Sequence, residues 1–349
     1  MKKRNIKSYI VLVTAVILIL SIATACSPKN HDTQPITRTE FVLGTMCTVK
    51  IYDRSTEKVL DKVFDRLKQI EDRMTINKAN SELDAVADAA GKKPVKVSDD
   101  TFFVVEKGID YAKQSGGIFD ITVGPLVKLW GIGTDHARLP LPQEINEKKA
   151  LINYKDIEMN DKNKTIMLKK PGMIIDLGGI AKGYSADEAV KILKENGVKH
   201  AIVNLGGNVF VMNSNINGQA WKVGIQNPYE PRGKSIGIVS VVNKTVVTSG
   251  IYERYFEKDG KKYHHILNTQ TGYPMDNSLA SVTVIRDVSI DADAMTKAVF
   301  YKDVKEGLKS VETLKDVEAI FITKDKKVYI TPGLKNNFKI TDNEYKLMN

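Results

Sequence analysis

The sequence predicts an α+β fold. Three observations carry that reading. Some segments repeat apolar residues at helical spacing, others are short β runs separated by turns, and the two are mixed without the regular βαβ alternation of a doubly wound sheet. No repeat of fixed period is visible.

The chain opens MKKRNIK, runs without charge from Tyr9 to Ala25, and then reaches Cys26. A basic start, an apolar stretch and the small residues Ala23-Thr24-Ala25 describe a secretory signal peptide over 1–25, with Cys26 as the lipidated first residue of a bacterial lipoprotein. An uncleaved anchor is the other reading, since the apolar run approaches the shortest spanning length of about 17 residues. Both place the body outside the cytoplasm, and the first makes it lipid-anchored to the bacterial cell membrane. Residues 27–39 are polar and aperiodic, so 26–39 reads as a lipidated tether and 40–349 as the folded body. Beyond Cys26 only Cys47 remains, so a core rather than disulfides must stabilise the body.

Val42 to Tyr52 reads as a strand. Val59, Leu60, Val63, Phe64, Leu67, Ile70 and Met74 mark one face of a helix. Ser98-Asp99-Asp100 opens a second helix with Ser98 as N-cap, and Gly116-Gly117 closes it. Residues 131–150, with several glycines and prolines, read as mostly loop. Short β runs follow at 164–169, 172–177, 200–205, 208–213, 220–226, 235–242, 244–248 and 263–267, with a helix after Gly183. The tail reads as a strand at 280–286, helices at 293–302 and 303–314, and strands near 317–323 and 327–331.

Charge says little about partners. Residues 1–25 hold four of the 52 Lys and Arg and none of the 42 acids, leaving 48 basic against 42 acidic, an excess of six. Aromatics are not interleaved with basic runs, which argues against nucleic acid.

The most specific stretch is Asp176–Asp187, DLGGIAKGYSAD, at a strand-to-helix junction. Glycine there permits close backbone approach, and a helix start offers free N–H groups to anions. It is neither a P-loop, since Lys182 precedes Gly183, nor a G-x-G-x-x-G fingerprint. A ligand-free turn is the bland alternative. A second glycine junction, Asn204–Asn208, is weak alone. His264-His265 before a T-x-T-G-x-P turn admits one core histidine and one base or phosphate donor. Asp291-Ala-Asp293 reads either as an N-cap pair or as a hard-metal site.

Together these elements resemble the ApbE-type flavin transferases, which move FMN from FAD onto a protein threonine or serine. The matching segments are Leu43-Gly-Thr45, Met74 through Leu83, Gly117–Asp120, DLGGIAKGYSAD, NLGGN, Thr248–Arg254, His264–Pro274 and Ala292–Phe300, in family order over most of the body. The resemblance implies two intimately joined subdomains with mixed and antiparallel sheets and a nucleotide cleft between them. It implies FAD as substrate and Mg²⁺ at the Gly179 carbonyl and the Asp293 carboxylate. Leu43, Asn77, Ile118, Phe119, Asp120, Asp176, Lys182 and Leu267 would form the nucleotide site, with His265 accepting the proton of the acceptor hydroxyl. The partner implied is an extracytoplasmic protein carrying that Thr or Ser. Two positions depart from the family. Lys297 stands where its Thr ligand is expected, which implies weaker metal affinity with magnesium still required. Asn77 stands where Tyr or Trp often covers the nucleotide. That second departure keeps open an FAD pyrophosphatase releasing FMN and AMP, and a non-catalytic flavin-binding lipoprotein is a third reading.

Overall fold

A computed structural model describes residues 34–53 and 56–348. The signal peptide, Cys26 and most of the tether lie outside the described residues. The residues from Pro35 onward form one compact unit, so no clean cut into subdomains exists.

Its frame is a nine-stranded sheet whose strands neighbour one another in chain order: β1 (Ile36–Val42), β2 (Thr45–Ile51), β3 (Ala201–Leu205), β4 (Asn208–Val211), β5 (Lys244–Gly250), β6 (Leu279–Arg286), β7 (Glu318–Thr323), β8 (Lys327–Ile330) and β9 (Lys346–Leu347). Every pairing is antiparallel except β8 with β9. The remaining elements are insertions between consecutive strands. The segment between β2 and β3 carries α1 (Glu57–Met74), α2 (Asp99–Gln114), α3 (Gly124–Trp130) and α4 (Ala181–Glu195). The segment between β6 and β7 carries α5 (Ser289–Phe300) and the helix Val304–Glu312.

Side chains of a strand alternate between faces, and here both faces are covered. Val247, Val282, Val284, Ala319 and Phe321 join a core with α5, while Val246, Ala280, Ile285, Ile320 and Ile322 pack toward a separate three-stranded sheet. Beneath β1–β4, α1 and α4 fill a further cluster. All seven apolar positions read onto one face of α1 are buried. Burying each such side chain contributes about 1.5–3 kcal/mol before the entropy of ordering is subtracted. Ser98 caps α2 as expected, accepting from the Thr101 amide at 3.3 Å.

Several expectations need correction. The strand expected at 42–52 is the second half of a hairpin that turns at Leu43-Gly44, both with positive φ, the geometry a two-residue turn requires. The region 131–150 contains a helix at Pro142–Lys149, started by proline and by Glu144, whose carboxylate accepts the Leu141 amide at 2.8 Å. Of residues 172–177, Gly172 lies in a turn with positive φ and 173–177 belong to no strand. The β run at 263–267 is the end of a hairpin, Tyr255–Lys258 with Lys261–His264. Helix α4 begins at Ala181 rather than after Gly183, and α5 begins at Ser289 rather than 293.

Candidate active site

The glycine junction follows from local pattern. Met173, Ile175 and Leu177 point into the core, so the intervening Asp176 points the other way, and its amide is held by the Ile121 carbonyl at 2.7 Å. One Asp176 carboxylate oxygen accepts the Gly178 amide at 2.6 Å. The chain then enters α4, whose Gly183 lies directly on α5. A Cβ there would sit 2.4 Å from the Ser289 carbonyl oxygen and 2.6 Å from the Ile290 Cα.

At this crossing each helix supplies an acid to the other's backbone. Asp187 of α4 accepts the Ser289 and Ile290 amides at 2.8 and 2.9 Å, capping α5 from outside. Asp293 of α5, fully buried, accepts the Gly183 amide at 2.9 Å through Oδ2. The Asp291–Asp293 pair is therefore not an N-cap. Asp291 faces Lys107 and Arg286, while Asp293 faces α4.

Gly179 and Asp293 do converge, with Lys297 between them. Asp293 Oδ1 is ion-paired with the Lys297 ammonium one turn along α5. A Cβ on Gly179 would stand 3.8 Å from Lys297 Cε and 3.0 Å from the Phe119 ring. Thr296 turns inward, its hydroxyl 2.7 Å from the Asp293 carbonyl and 2.7 Å from the Ser249 hydroxyl. This donor set does not fit a resident Mg²⁺. Both Asp293 oxygens are engaged by the chain, an ammonium has no lone pair to offer, and among the described residues no three His, Cys, Asp or Glu side chains group as metal ligands.

The two histidines divide as their bonding dictates. His264 is buried; its Nε2 donates to the Met275 carbonyl at 2.9 Å and its Nδ1 accepts the Ile266 amide at 3.3 Å, so both nitrogens are used. His265 places Nδ1 3.3 Å from the Arg254 carbonyl. A carbonyl only accepts, so Nδ1 carries the proton and Nε2 keeps its lone pair. Burial, then the charge of Arg254, pushes the His265 pKa down to about 3, which leaves the ring neutral at physiological pH.

Cations gather around the junction. Burial raises the Asp176 pKa, opposed by the Gly178 amide and then by Arg254, Lys182 and Lys128. Lys182 reaches the Gly178 carbonyl at 3.4 Å. Arg254 donates to the Gly44 carbonyl at 3.1 Å, tying the Leu43-Gly44 turn to the cleft. Lys128 is held by the Ile76 carbonyl at 2.5 Å and by the exposed Asn77 side chain at 3.1 Å. Asn77 thus positions a cation where the resemblance led to an expectation of a ring.

Three sequence-assigned residues are committed within the protein. The Asp120 carboxylate accepts from the Thr122 amide and hydroxyl at 2.8 and 2.7 Å and from the Tyr154 amide at 2.8 Å, capping a short 3-10 turn. The Ile118 carbonyl, with that of Gly117, accepts from Thr269, and the Leu267 carbonyl accepts the Tyr301 hydroxyl at 2.5 Å. Thr269 joins the 117–120 loop to the 264–274 loop, and Tyr301 ties the latter to the end of α5. Sequence reasoning passed over Lys128 and gave Arg254 no role. Arg254 stood inside a matching motif, whereas nothing local marks Lys128.

The chain as a whole is similar to known proteins. The model of the ApbE family matches residues 43–321. An FAD:protein FMN transferase of Klebsiella pneumoniae (strain 342) is 34% identical over 317 residues, 91% of this chain and 98% of the relative. One from Treponema pallidum (strain Nichols) is 34% identical over 327 residues, 89% of this chain and 90% of the relative. The crystal structure of an ApbE protein from Thermotoga maritima superposes with a TM-score of 0.81 at 29% identity, over 86% of this chain and 98% of that one. The flavin transferase ApbE from Vibrio cholerae gives 0.77 at 25%, over 87% and 99%. With the family model matching residues 43–321, two relatives 34% identical over most of their length and the fold in agreement, this chain belongs to the ApbE family.

Proposed function

We propose that this chain transfers FMN from FAD to a Thr or Ser side chain of an extracytoplasmic protein and releases AMP. The observation that carries the reading is the glycine junction with Arg254, Lys182 and Lys128 acting on its Asp176, together with His265, whose Nε2 takes no hydrogen bond among the described residues. A diphosphate needs the first, and an attacking hydroxyl needs the second.

The step follows from these groups. The acceptor oxygen attacks the FMN-side phosphorus, the P–O bond to AMP breaks, and the hydroxyl proton passes to His265 Nε2. Lys182, Lys128 and Arg254 offset charge on the phosphate oxygens. Phe119 against Gly179 provides an apolar wall for an aromatic cofactor. The family resemblance implied magnesium at Gly179 and Asp293; the donor set of this chain does not fit a resident ion, and no step runs through one.

Hydrolysis to FMN and AMP is the second reading, favoured by one observation: Asn77 is exposed and holds Lys128, so no ring from this position closes the cleft to water. Incubating the protein with FAD, with and without extracytoplasmic proteins of its source, separates the two. Transfer predicts covalent flavin fluorescence on a denatured acceptor band. AMP release without any acceptor, and no labelled band, would replace transfer by hydrolysis. The lipid anchor at Cys26 and the extracytoplasmic location are part of the same proposal, and metabolic labelling with a fatty acid, lost in Cys26→Ala, tests them.

A further inference from the structure

We propose that Lys297 stands in for a divalent cation: its ammonium, seated on Asp293 beside Gly179, supplies the positive charge facing the substrate's diphosphate, so FAD binding needs no metal. The inference rests on the reading of this cleft as an FAD site.

Two independent observations carry it. The first is occupancy. Asp293 gives one oxygen to the Gly183 amide at 2.9 Å and the other to Lys297, and the carboxylate has no exposed surface. A magnesium ion here would have to break a buried ion pair, collect oxygens at about 2.0–2.1 Å, and leave an ammonium stranded beside it. Thr296 offers no substitute ligand, because its hydroxyl faces Ser249 and the Asp293 carbonyl. The second is charge. Lys182, Lys128 and Arg254 act on Asp176, and Lys182 also faces Lys297. Lys182, Lys128, Arg254 and Lys297 thus share the cleft with the carboxylates Asp176, Asp293 and Glu71, the last bound to the Gly44 amide at 3.1 Å. Burial opposes the charge on Lys297 and Asp293 supports it, and a diphosphate diester brings further negative charge to the same group. A tethered ammonium is also already in place when the ligand arrives, which spares the chain the capture of an ion.

The test is FAD binding by the detergent-solubilised full chain, followed by fluorescence quenching with magnesium and with excess EDTA. The expected result is a Kd that changes less than about threefold between the two conditions. In Lys297→Thr, affinity in EDTA should fall about tenfold or more and return when magnesium is added. Lys297→Arg, which keeps the charge, should stay insensitive to EDTA whatever its affinity. Calorimetric titration with magnesium in the presence of FAD should find saturable ion binding in Lys297→Thr and none in the unmodified chain. Loss of FAD binding in EDTA by the unmodified chain, restored by magnesium, overturns the inference and leaves the FAD site standing. Absence of FAD binding under both conditions overturns both. The unmodified chain decides the matter even should Lys297→Thr fail to fold.

Discussion

Two regions meet at the cleft and are built in opposite ways. Where α4 crosses α5, backbone rests on backbone: Gly183 touches the Ser289 carbonyl, and Asp187 and Asp293 each bind the other helix's amides. The loop from His264 to Pro274 has backbone bonds too, among them the His265 amide to the Arg254 carbonyl at 3.1 Å, but its ties to the surrounding elements are largely side-chain bonds to carbonyls. They include His264 to Met275, Thr269 to Gly117 and Ile118, Trp130 to Gly272 and Tyr301 to Leu267. The crossing fixes where charge sits and leaves no slack, whereas the loop presents one histidine nitrogen and can give a little at each bond. A change at the crossing should therefore act on folding and binding together, and a change in the loop should act on one property at a time.

The sharpest test of that contrast is His265→Ala. A general base typically contributes about 10²–10⁴-fold, so turnover should fall by that order while FAD affinity stays close to its original value. Single-turnover transfer and FAD titration read the two separately. Equal losses in both would show that the loop is part of the binding floor and would erase the distinction.

Gly183→Ala comes next. Its methyl would meet backbone atoms at 2.4 and 2.6 Å, and backbone cannot rotate away as a side-chain end can. Overpacking of this kind costs about 1–3 kcal/mol. The expected outcome is a lower midpoint in urea together with weakened FAD binding, since the Asp293–Gly183 bond would be pried open. An unfolding curve and FAD affinity both unchanged would mean that the helices slide freely past one another.

Acid stability probes the loop through His264. Burial holds this ring's pKa down to about 4, against an ordinary value of 6.5. Between those values the unfolded chain binds a proton that the folded chain refuses, so stability is full above pH 6.5 and declines as pH falls toward 4. The slope from this group is about 1.4 kcal/mol per pH unit. Asp187 works the other way, since burial raises its pKa to about 6, so that between its ordinary value of 3.8 and 6 the folded chain binds the extra proton. His264→Gln should remove the first contribution alone, leaving a stability that falls less, or even rises, on acidification. Chemical denaturation at a series of pH values would reveal it, and parallel curves for the two proteins would discard the assignment.

What the sequence made legible divides along the same line. Helix α1, the Ser98 cap and the order of the β segments could be read because periodicity and capping are local properties. The junction Asp176–Gly183 could be located because three glycines within six residues signal close approach, and Asp293 because it sits in a matching motif. Missed were the true starts of α4 and α5. The amides of Ser289 and Ile290 are satisfied by Asp187 on another helix, so the sequence before α5 shows no cap of its own. The Lys297–Asp293 pair was half legible: the four-residue spacing puts both on one helical face, but only packing shows that the carboxylate is sealed from solvent. Lys128 could not be anticipated, because its partners Ile76 and Asn77 are remote in sequence.

The smallest expected effect is also the most local. Thr269 is buried, and its hydroxyl lies 2.9 Å from the Gly117 carbonyl and 3.1 Å from that of Ile118. It is the bond that joins the histidine loop to the loop bearing Phe119. Thr269→Val keeps the shape and removes the donor, which should cost about 1 kcal/mol of stability. Because Phe119 packs on Gly179, slack in its loop reaches the flavin wall before it reaches the phosphate floor. The variant should accordingly weaken binding of FMN and FAD alike while leaving ADP, which shares only the diphosphate and adenosine, unaffected. Equal weakening of all three ligands would place Thr269 under the whole cleft and make the loop as indivisible as the helix crossing.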